Sequence, residues 1–134
     1  MPEPDGGEPE SELLSDWLRR TAAAMPDAPA VIEEDRVTSF RELLEQATAL
    51  AVRFVEHGIQ KQDRIALVLP KTTEAIVSVF ASLLAGAIYV PIHPEWPKER
   101  IEATLVDCGA RLVIEGDGSA PRIIDRKTGG SISW

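Results

Sequence analysis

The side chains that could do chemistry in this chain follow two apolar runs of the kind that form strands. Lys71, Thr72 and Thr73 follow the first run, and His93 follows the second. Because ligands of open parallel sheets collect beyond the carboxyl ends of the strands, both places are candidates for a site. A cation and two hydroxyls at a helix N-terminus favour an anion, and a histidine favours acid–base chemistry.

A structural interpretation competes with each of these. Thr72 or Thr73 can cap the following helix beside a solvated lysine, and the stretch lacks the glycine pattern of a phosphate-binding loop. The sequence offers no orienting partner for His93, and the prolines around it predict a stiff, extended exit from the sheet. We therefore expect His93 to lie near any ligand at this edge, and we predict no catalytic residue.

The remaining reactive side chains favour structural roles. Cys108 recurs with apolar neighbours at helical spacing, which predicts a buried, inert thiol. A single cysteine excludes an internal disulfide and a cysteine-based metal site. The only other strong zinc ligands are His57, expected at a helix C-terminus, and His93, so we expect no metal site. By its own residues, the chain is predicted to bind no cofactor.

The acidic charge of the chain is concentrated at its beginning. The formal net charge is −8, and residues 1–12 hold five acids and no base among prolines and glycines. This composition predicts a flexible acidic lead-in. No basic stripe with interleaved aromatics follows, which argues against a nucleic-acid partner. No apolar run reaches the roughly 18 residues that span a bilayer, and no secretory signal is apparent, so we expect no membrane partner and a cytoplasmic location.

The elements that would position these residues follow from periodicity. Ser39 and Glu42 form an S-x-x-E capping box that predicts the start of a helix, and Gly58 suits its end. The other elements are a helix over 11–24, a hairpin within 30–40, helices over 73–85 and 97–109, and apolar strands at 64–70, 87–93 and 110–116. The helix over 73–85 is apolar almost all round, which predicts cover on more than one side.

Alternation of buried strands and helices is typical of parallel β-α-β units. We predict an α/β fold, a three-layer sandwich with a mainly parallel sheet of at least three strands, plus a short N-terminal β-hairpin. Residues 115–134 are expected to be a loose C-terminal segment. Its "RIID" either pairs antiparallel or lies elsewhere, because the preceding loop is too short for a helical crossover.

Two stretches of the sequence resemble a known family. These are "MPDAPAVIEEDRVTSFREL" and "LLAGAIYVPIHPEWPKERI". They are similar to the N-terminal portion of adenylate-forming enzymes, namely the adenylation domains of nonribosomal peptide synthetases and the related acyl-CoA and acyl-AMP ligases. Thr38, Phe40, Glu42 and Leu43 match the first family motif, with Ser39 inserted. The second motif is matched by 83–94, with His93 where peptide synthetases usually carry aspartate.

The resemblance implies an enzyme that condenses a carboxylate with MgATP to an acyl-adenylate and passes the acyl group to a phosphopantetheine thiol. Residues 13–114 would be a partial adenylation N-terminal subdomain that ends before the phosphate loop of the family. We therefore expect the chain to be inactive alone, with ATP and Mg bound only by the complete enzyme. His93 in place of aspartate leaves a carboxylic acid other than an amino acid open as substrate.

The absence of the phosphate loop also implies a partner. We expect Trp96, Ile132 and Trp134 at an interface with a polypeptide that supplies the rest of the adenylation domain, or in self-association. The apolar helix over 73–85 fits the same expectation. A carrier protein would be an indirect partner. The alternative is a non-catalytic, truncated adenylation-fold protein that acts as an interaction or regulatory module.

Overall fold

Helices and strands alternate along the chain, and the computed structural model describes residues 10–117 and 120–134. The helices are α1 (Glu10–Ala24), α2 (Phe40–Glu56), α3 (Thr73–Leu84) and α4 (Lys98–Cys108). The strands are β1 (Pro29–Glu33), β2 (Arg36–Ser39), β3 (Arg64–Val68), β4 (Ile88–Pro91), β5 (Ala110–Glu115), β6 (Arg122–Asp125) and β7 (Ser131–Ile132). Of the predicted acidic lead-in, residues 1–9 lie outside the described residues, and residues 10–12 belong to α1.

The predicted hairpin and the capping box are confirmed. β1 and β2 pair antiparallel as a separate two-stranded sheet. At the start of α2, the Glu42 N–H donates to Ser39 Oγ at 3.1 Å, and the Ser39 N–H donates to Glu42 Oε1 at 2.9 Å. At its end, Gly58 takes a φ of +101°, and the Ile59 N–H donates to the Phe54 carbonyl at 3.0 Å. Local residue types therefore set both ends of α2.

The main sheet has five strands in the order β4-β3-β5-β6-β7. β3 runs parallel to β4 and β5, whereas β6 and β7 follow antiparallel. One apolar cluster joins α1, α2 and α3 to one face of the sheet, and a second joins α4 to the other face. The predicted three layers and three parallel strands are confirmed, and "RIID" pairs antiparallel, as one of the two alternatives had it.

The prediction that β4 is a buried strand is wrong, because β4 lies at the edge of the sheet. Ile88, at its start, is 43% exposed. The Ile88 N–H donates towards β3, to the Asp63 carbonyl at 2.8 Å. Backbone groups alternate in direction along a strand. The backbone groups of Tyr89 and Pro91 therefore point away from β3, towards the open edge of the sheet. Proline has no N–H, and a proline facing outward is typical of an edge strand.

Helix α3 is covered within the chain, as predicted. It packs against α1, α2 and the sheet, and Trp17 of α1 stacks on Phe80 with ring centroids 6.4 Å apart. Ile76, at 36%, is its most exposed large apolar residue in the described structure. Other helices of the same chain cover most of its apolar surface, so little of it is left for a partner, and the further expectation of an interface on this helix stays a prediction.

The C-terminal segment is built into the sheet and is not loose over β6 and β7. Ile123 and Asp125 are 0% exposed. Gly129 and Gly130 lie in the turn between the two strands, where the Gly129 N–H donates to the Asp125 carbonyl at 2.7 Å. A loose segment was expected because the sequence does not reveal the long-range partners of Asp125. These partners hold the β6–β7 hairpin in place.

Asp125 is the centre of a buried polar cluster. Its carboxylate accepts hydrogen bonds from Arg111 Nε and Nη2, both at 3.1 Å, and from the Lys127 N–H at 2.8 Å. It also contacts His57 Nε2 at 2.7 Å. The β3–β5 register shifts at Arg111, which has no partner residue in β3. Hydrogen bonding by Arg111 is the largest cause that holds the pKa of Asp125 well below its usual range.

Candidate functional site

A cleft of about 820 Å³ opens at the carboxyl ends of β3 and β4. The segment after β3 supplies Lys71 and Thr72, and the segment after β4 supplies His93. Strand β1 of the hairpin supplies Ile32 and Glu33. The structure thus brings together the side chains that the sequence placed at two strand ends, and it adds a wall from the hairpin.

The N-terminus of α3, which faces this cleft, is capped by the chain itself. Thr72 Oγ1 accepts a hydrogen bond from the Ala75 N–H at 3.2 Å. The Glu33 carboxylate accepts from the Thr73 N–H at 2.8 Å and also from the Thr73 hydroxyl. A carboxylate is favourable at this position because of the partial positive charge of a helix N-terminus. Glu33 therefore fills the place that an external anion would take, in agreement with the structural interpretation of Lys71, Thr72 and Thr73.

An ion-pair network holds the hairpin against α3. Arg36 Nη2 donates to Glu33 Oε1 at 2.8 Å and to the two oxygens of Glu74 at 2.9 and 3.1 Å. We call Glu33, Arg36, Thr73 and Glu74 the hairpin clamp. Hydrogen bonds from the Thr73 hydroxyl, from Arg36 and from the Thr73 N–H lower the pKa of Glu33 to about 2. The sequence offers no signal for this clamp, because its two halves lie 40 residues apart.

The hairpin clamp predicts a specific acid sensitivity. The pKa of Glu33 is about 2 in the folded protein against an ordinary value of 4.5. Its contribution to stability is therefore complete above about pH 5 and is lost as the pH falls towards 2. We expect Glu33→Gln to lower the urea midpoint at pH 7. Between pH 5 and 2, the midpoint of this variant is expected to decrease less steeply with falling pH than that of the wild type. Glu95→Gln, at the exposed rim of the same cleft, is the control; an equal slope in Glu33→Gln and wild type would contradict the prediction.

His93 lies exposed on the rim of the cleft. Its Nδ1 accepts a hydrogen bond from the Glu95 N–H at 3.1 Å, and its carbonyl accepts from the Trp96 N–H at 3.2 Å. With Nδ1 as the acceptor, the neutral ring carries its proton on Nε2. In the described structure no carboxylate contacts the ring, so His93 lacks the orienting partner of a general base. That His93 lies near a bound ligand stays a prediction.

The three residues predicted for an interface are not brought together. Trp96 is half-buried against the α4 side of the sheet, with the Arg100 guanidinium 3.7 Å from its ring centroid. Ile132 is half-buried against the cluster on the opposite face. Trp134 is 37% exposed beyond β7. They do not form one surface, and their part in an interface stays a prediction.

The described residues show neither a metal cluster nor a membrane span. Across 10–117 and 120–134, no group of three or more histidine, cysteine, aspartate or glutamate residues could hold a metal ion. Among the helices of that part of the chain, none combines the length and the apolar character that crossing a membrane requires.

Comparison with known sequences gives one family match. The profile described as AMP-binding enzyme matches residues 18–131. The chain is 37% identical over 106 residues to Tyrocidine synthase 3 of Brevibacillus parabrevis, covering 79% of this chain and 2% of that protein. It is 35% identical over 112 residues to Enterobactin synthase component F of Escherichia coli O157:H7, covering 84% of this chain and 9% of that protein. The chain thus spans a small part of the length of these relatives.

Solved structures share the same fold. The N-terminal subdomain of Klebsiella oxytoca NpsA in complex with anthranilyl-AMSN superposes with a TM-score of 0.71 at 29% identity, covering 75% of this chain and 26% of that one. O-succinylbenzoate coenzyme A synthetase (MenE) of Bacillus subtilis in complex with AMP superposes with a TM-score of 0.69 at 27% identity, covering 72% and 26%. The agreement extends over most of this chain and about a quarter of each solved one.

Proposed function

Because the chain belongs to the AMP-binding enzyme family, we propose that it forms a structural portion of a ligase that activates a carboxylic acid as an acyl- or aminoacyl-adenylate. The resemblance found in the sequence is confirmed, and so is the predicted fold class, that of the N-terminal subdomain of adenylate-forming enzymes. The observation that carries the proposal is the superposition of 75% of the chain on the NpsA subdomain that holds anthranilyl-AMSN.

We propose that the described residues do not hold a magnesium nucleotide by themselves. Glu33 fills the N-terminus of α3, which is the anion position at the end of β3. The described residues also contain no group of three or more histidine, cysteine, aspartate or glutamate side chains that could hold a metal ion. These two observations support the proposal that ATP and Mg bind the complete enzyme, through residues other than those described. In this proposal the 134 residues contribute the scaffold of the carboxyl edge and are inactive alone.

We further propose that the complete enzyme passes the acyl group to a phosphopantetheine thiol, of a carrier protein or of coenzyme A. Relatives of both kinds support this. NpsA-ThdA, an artificially fused adenylation–PCP di-domain of a nonribosomal peptide synthetase from Klebsiella oxytoca, matches this chain with a TM-score of 0.71. MenE is named a coenzyme A synthetase. The part that completes the adenylation domain, in the same or another polypeptide, is the partner of this chain.

ATP–pyrophosphate exchange tests this function. The chain is assayed alone with a panel of carboxylic and amino acids, and again with a polypeptide that carries the phosphate loop and co-purifies from the native host. We expect no exchange above the heat-denatured control for the chain alone, and carboxylate-dependent exchange on mixing. Exchange by the chain alone would contradict its inactivity. Tight binding without exchange would instead favour the interaction or regulatory module.

A further inference from the structure

A groove between α1 and the open edge of β4 carries positive charge. Its volume is about 830 Å³, and Leu14, Leu84 and Ile88 belong to its apolar wall. Among the described residues that line it, the charged ones are Arg19 of α1 and Lys61, which lies in the loop before β3. We call this surface the basic groove.

The two cations of the basic groove are not neutralised by acids of the described structure. Both are exposed and enter no ion pair there. The acids nearest to them in the sequence have partners of their own: Asp16 contacts Arg20 at 3.1 Å, and Asp63 lies 3.8 Å from Arg111. Arg64, opposite the first residue of β4, adds a third cation that has no ion pair among the described residues. The groove therefore favours an anionic occupant.

The loop that carries Lys61 is held in an uncommon backbone conformation. Gln62 takes a φ of +69°, which residues with a side chain rarely adopt, and its N–H donates to the Gly86 carbonyl at 2.9 Å. Gly86 has a φ of +79°, and a Cβ added there would lie 3.2 Å from Lys61 Cγ. The glycine thus lets the stem of Lys61 pass close to the backbone. Strain of this kind is concentrated at sites that bind ligands, and here it fixes a cation at the groove.

The edge of β4 gives the basic groove a backbone donor and a backbone acceptor. The backbone groups of Tyr89, which lines the groove, point to the open edge of the sheet. An extended segment can pair with these two groups, as peptides do when they bind an exposed strand. Pro91 lacks an N–H, so such pairing is limited to a short stretch. An occupant that is short, extended and acidic therefore fits the groove best.

We propose that the basic groove binds the acidic segment 1–9 of the same chain. This segment holds no basic side chain and three acidic ones, Glu3, Asp5 and Glu8. It is joined to α1 at Glu10, and Arg19 lies about 14 Å further along the helix. Because an extended chain advances about 3.3 Å per residue, the segment is long enough to bring Asp5 to Arg19.

The covalent link between the segment and α1 makes a weak contact sufficient. A tethered ligand has an effective concentration of the order of millimolar, so it needs far less affinity than a free peptide. The charges of the groove are exposed, so salt weakens the contact. The proposal rests on the surface between α1 and β4 and is independent of the proposed function.

Paramagnetic relaxation enhancement in the full chain tests the proposal. Cys108→Ser removes the single thiol, and Gly6→Cys then carries a nitroxide within the acidic segment. We expect the amide signals of Lys61 and Tyr89 to lose about half of their intensity at about 0.05 M salt and to regain it at about 1 M, where exposed charges are screened. Circular dichroism checks that each variant is folded.

Charge reversal tests the pairing itself. Arg19→Glu combined with Lys61→Glu is expected to abolish the loss of intensity at Tyr89, because like charges then face each other. The loss is expected to return when the acids of the segment are reversed in the same chain, by Glu3→Lys, Asp5→Lys and Glu8→Lys.

The matched control changes the net charge equally at a distance from the basic groove. Lys98→Glu combined with Lys127→Glu reverses two exposed cations that do not line it, and the loss at Tyr89 is expected to persist. An equal response of the control and the groove variant overturns the proposal, and so does a wild type without the loss at Tyr89. A loss that appears only between a nitroxide-bearing copy and an unlabelled copy also overturns it, because the segment would then bind another molecule.

Discussion

Asp125→Ala is expected to destabilise the fold by about 3 kcal/mol, because it removes the common partner of a buried polar cluster. Asp125 is 0% exposed and accepts two hydrogen bonds from Arg111 at 3.1 Å. Without it, the guanidinium, the His57 ring and the Lys127 N–H lose their acceptor. Since the side chains of Arg111 and His57 remain 20% and 28% exposed, water compensates in part, which places the loss at the low end for a broken buried pair.

Urea denaturation of matched variants measures this loss. Asp125→Asn keeps one acceptor oxygen and removes the charge, so we expect a smaller loss than for alanine. Glu102→Ala is the control for an exposed pair, because Glu102 contacts Arg126 at 2.9 Å and is 59% exposed. That variant is expected to change the free energy of unfolding little, because exposed ion pairs contribute little to stability. If Asp125→Ala cost no more than Glu102→Ala, the buried cluster would contribute nothing beyond a surface ion pair.

Phe54→Ala is expected to have the largest effect of any single truncation considered, about 4 kcal/mol. Phe54 is 0% exposed and lies in the apolar cluster between the helices and the sheet. Its removal leaves a cavity, because a close-packed interior relaxes only in part. A domain at the low end of the usual stability range, about 5 kcal/mol, would then retain only about 1 kcal/mol.

The control for Phe54 lies on the same helix. Val52 is 51% exposed, so Val52→Ala is expected to change the free energy of unfolding by no more than about 0.5 kcal/mol. Urea melts followed by circular dichroism give both values, and an unchanged slope shows that the variants unfold to the same extent. A loss below about 2 kcal/mol for Phe54→Ala would mean that the core collapses into the cavity.

Elements that depend on near neighbours are the ones that the sequence predicts well. The capping box of Ser39 and Glu42 spans three residues, and Gly109 ends α4 with a φ of +64°. The parallel strands follow from apolar runs separated by helices. In each case the residues that determine the element are close to it in the sequence, so the residue types alone suffice to predict it.

Contacts between distant residues could not be predicted in this way. The His57–Asp125 contact joins residues 68 apart, and no periodic pattern marks it. The edge position of β4 also depends on distant contacts. The same apolar sequence is compatible with a strand that has one neighbour in the sheet and with a strand that has two. Pro91 was the available signal for an edge. The cleft was predicted in part: Lys71 and His93 share it, but the hairpin wall with Glu33 depends on tertiary packing.

The outward-facing proline of β4 makes the two edges of the main sheet unequal. A strand arriving beside β4 would find the Tyr89 N–H as a donor and none at Pro91, so the ladder would be interrupted at once. β7, at the opposite end of the sheet order, has no proline within it. An added strand therefore meets no missing donor beside β7, and the proline makes β4 the poorer template for aggregation.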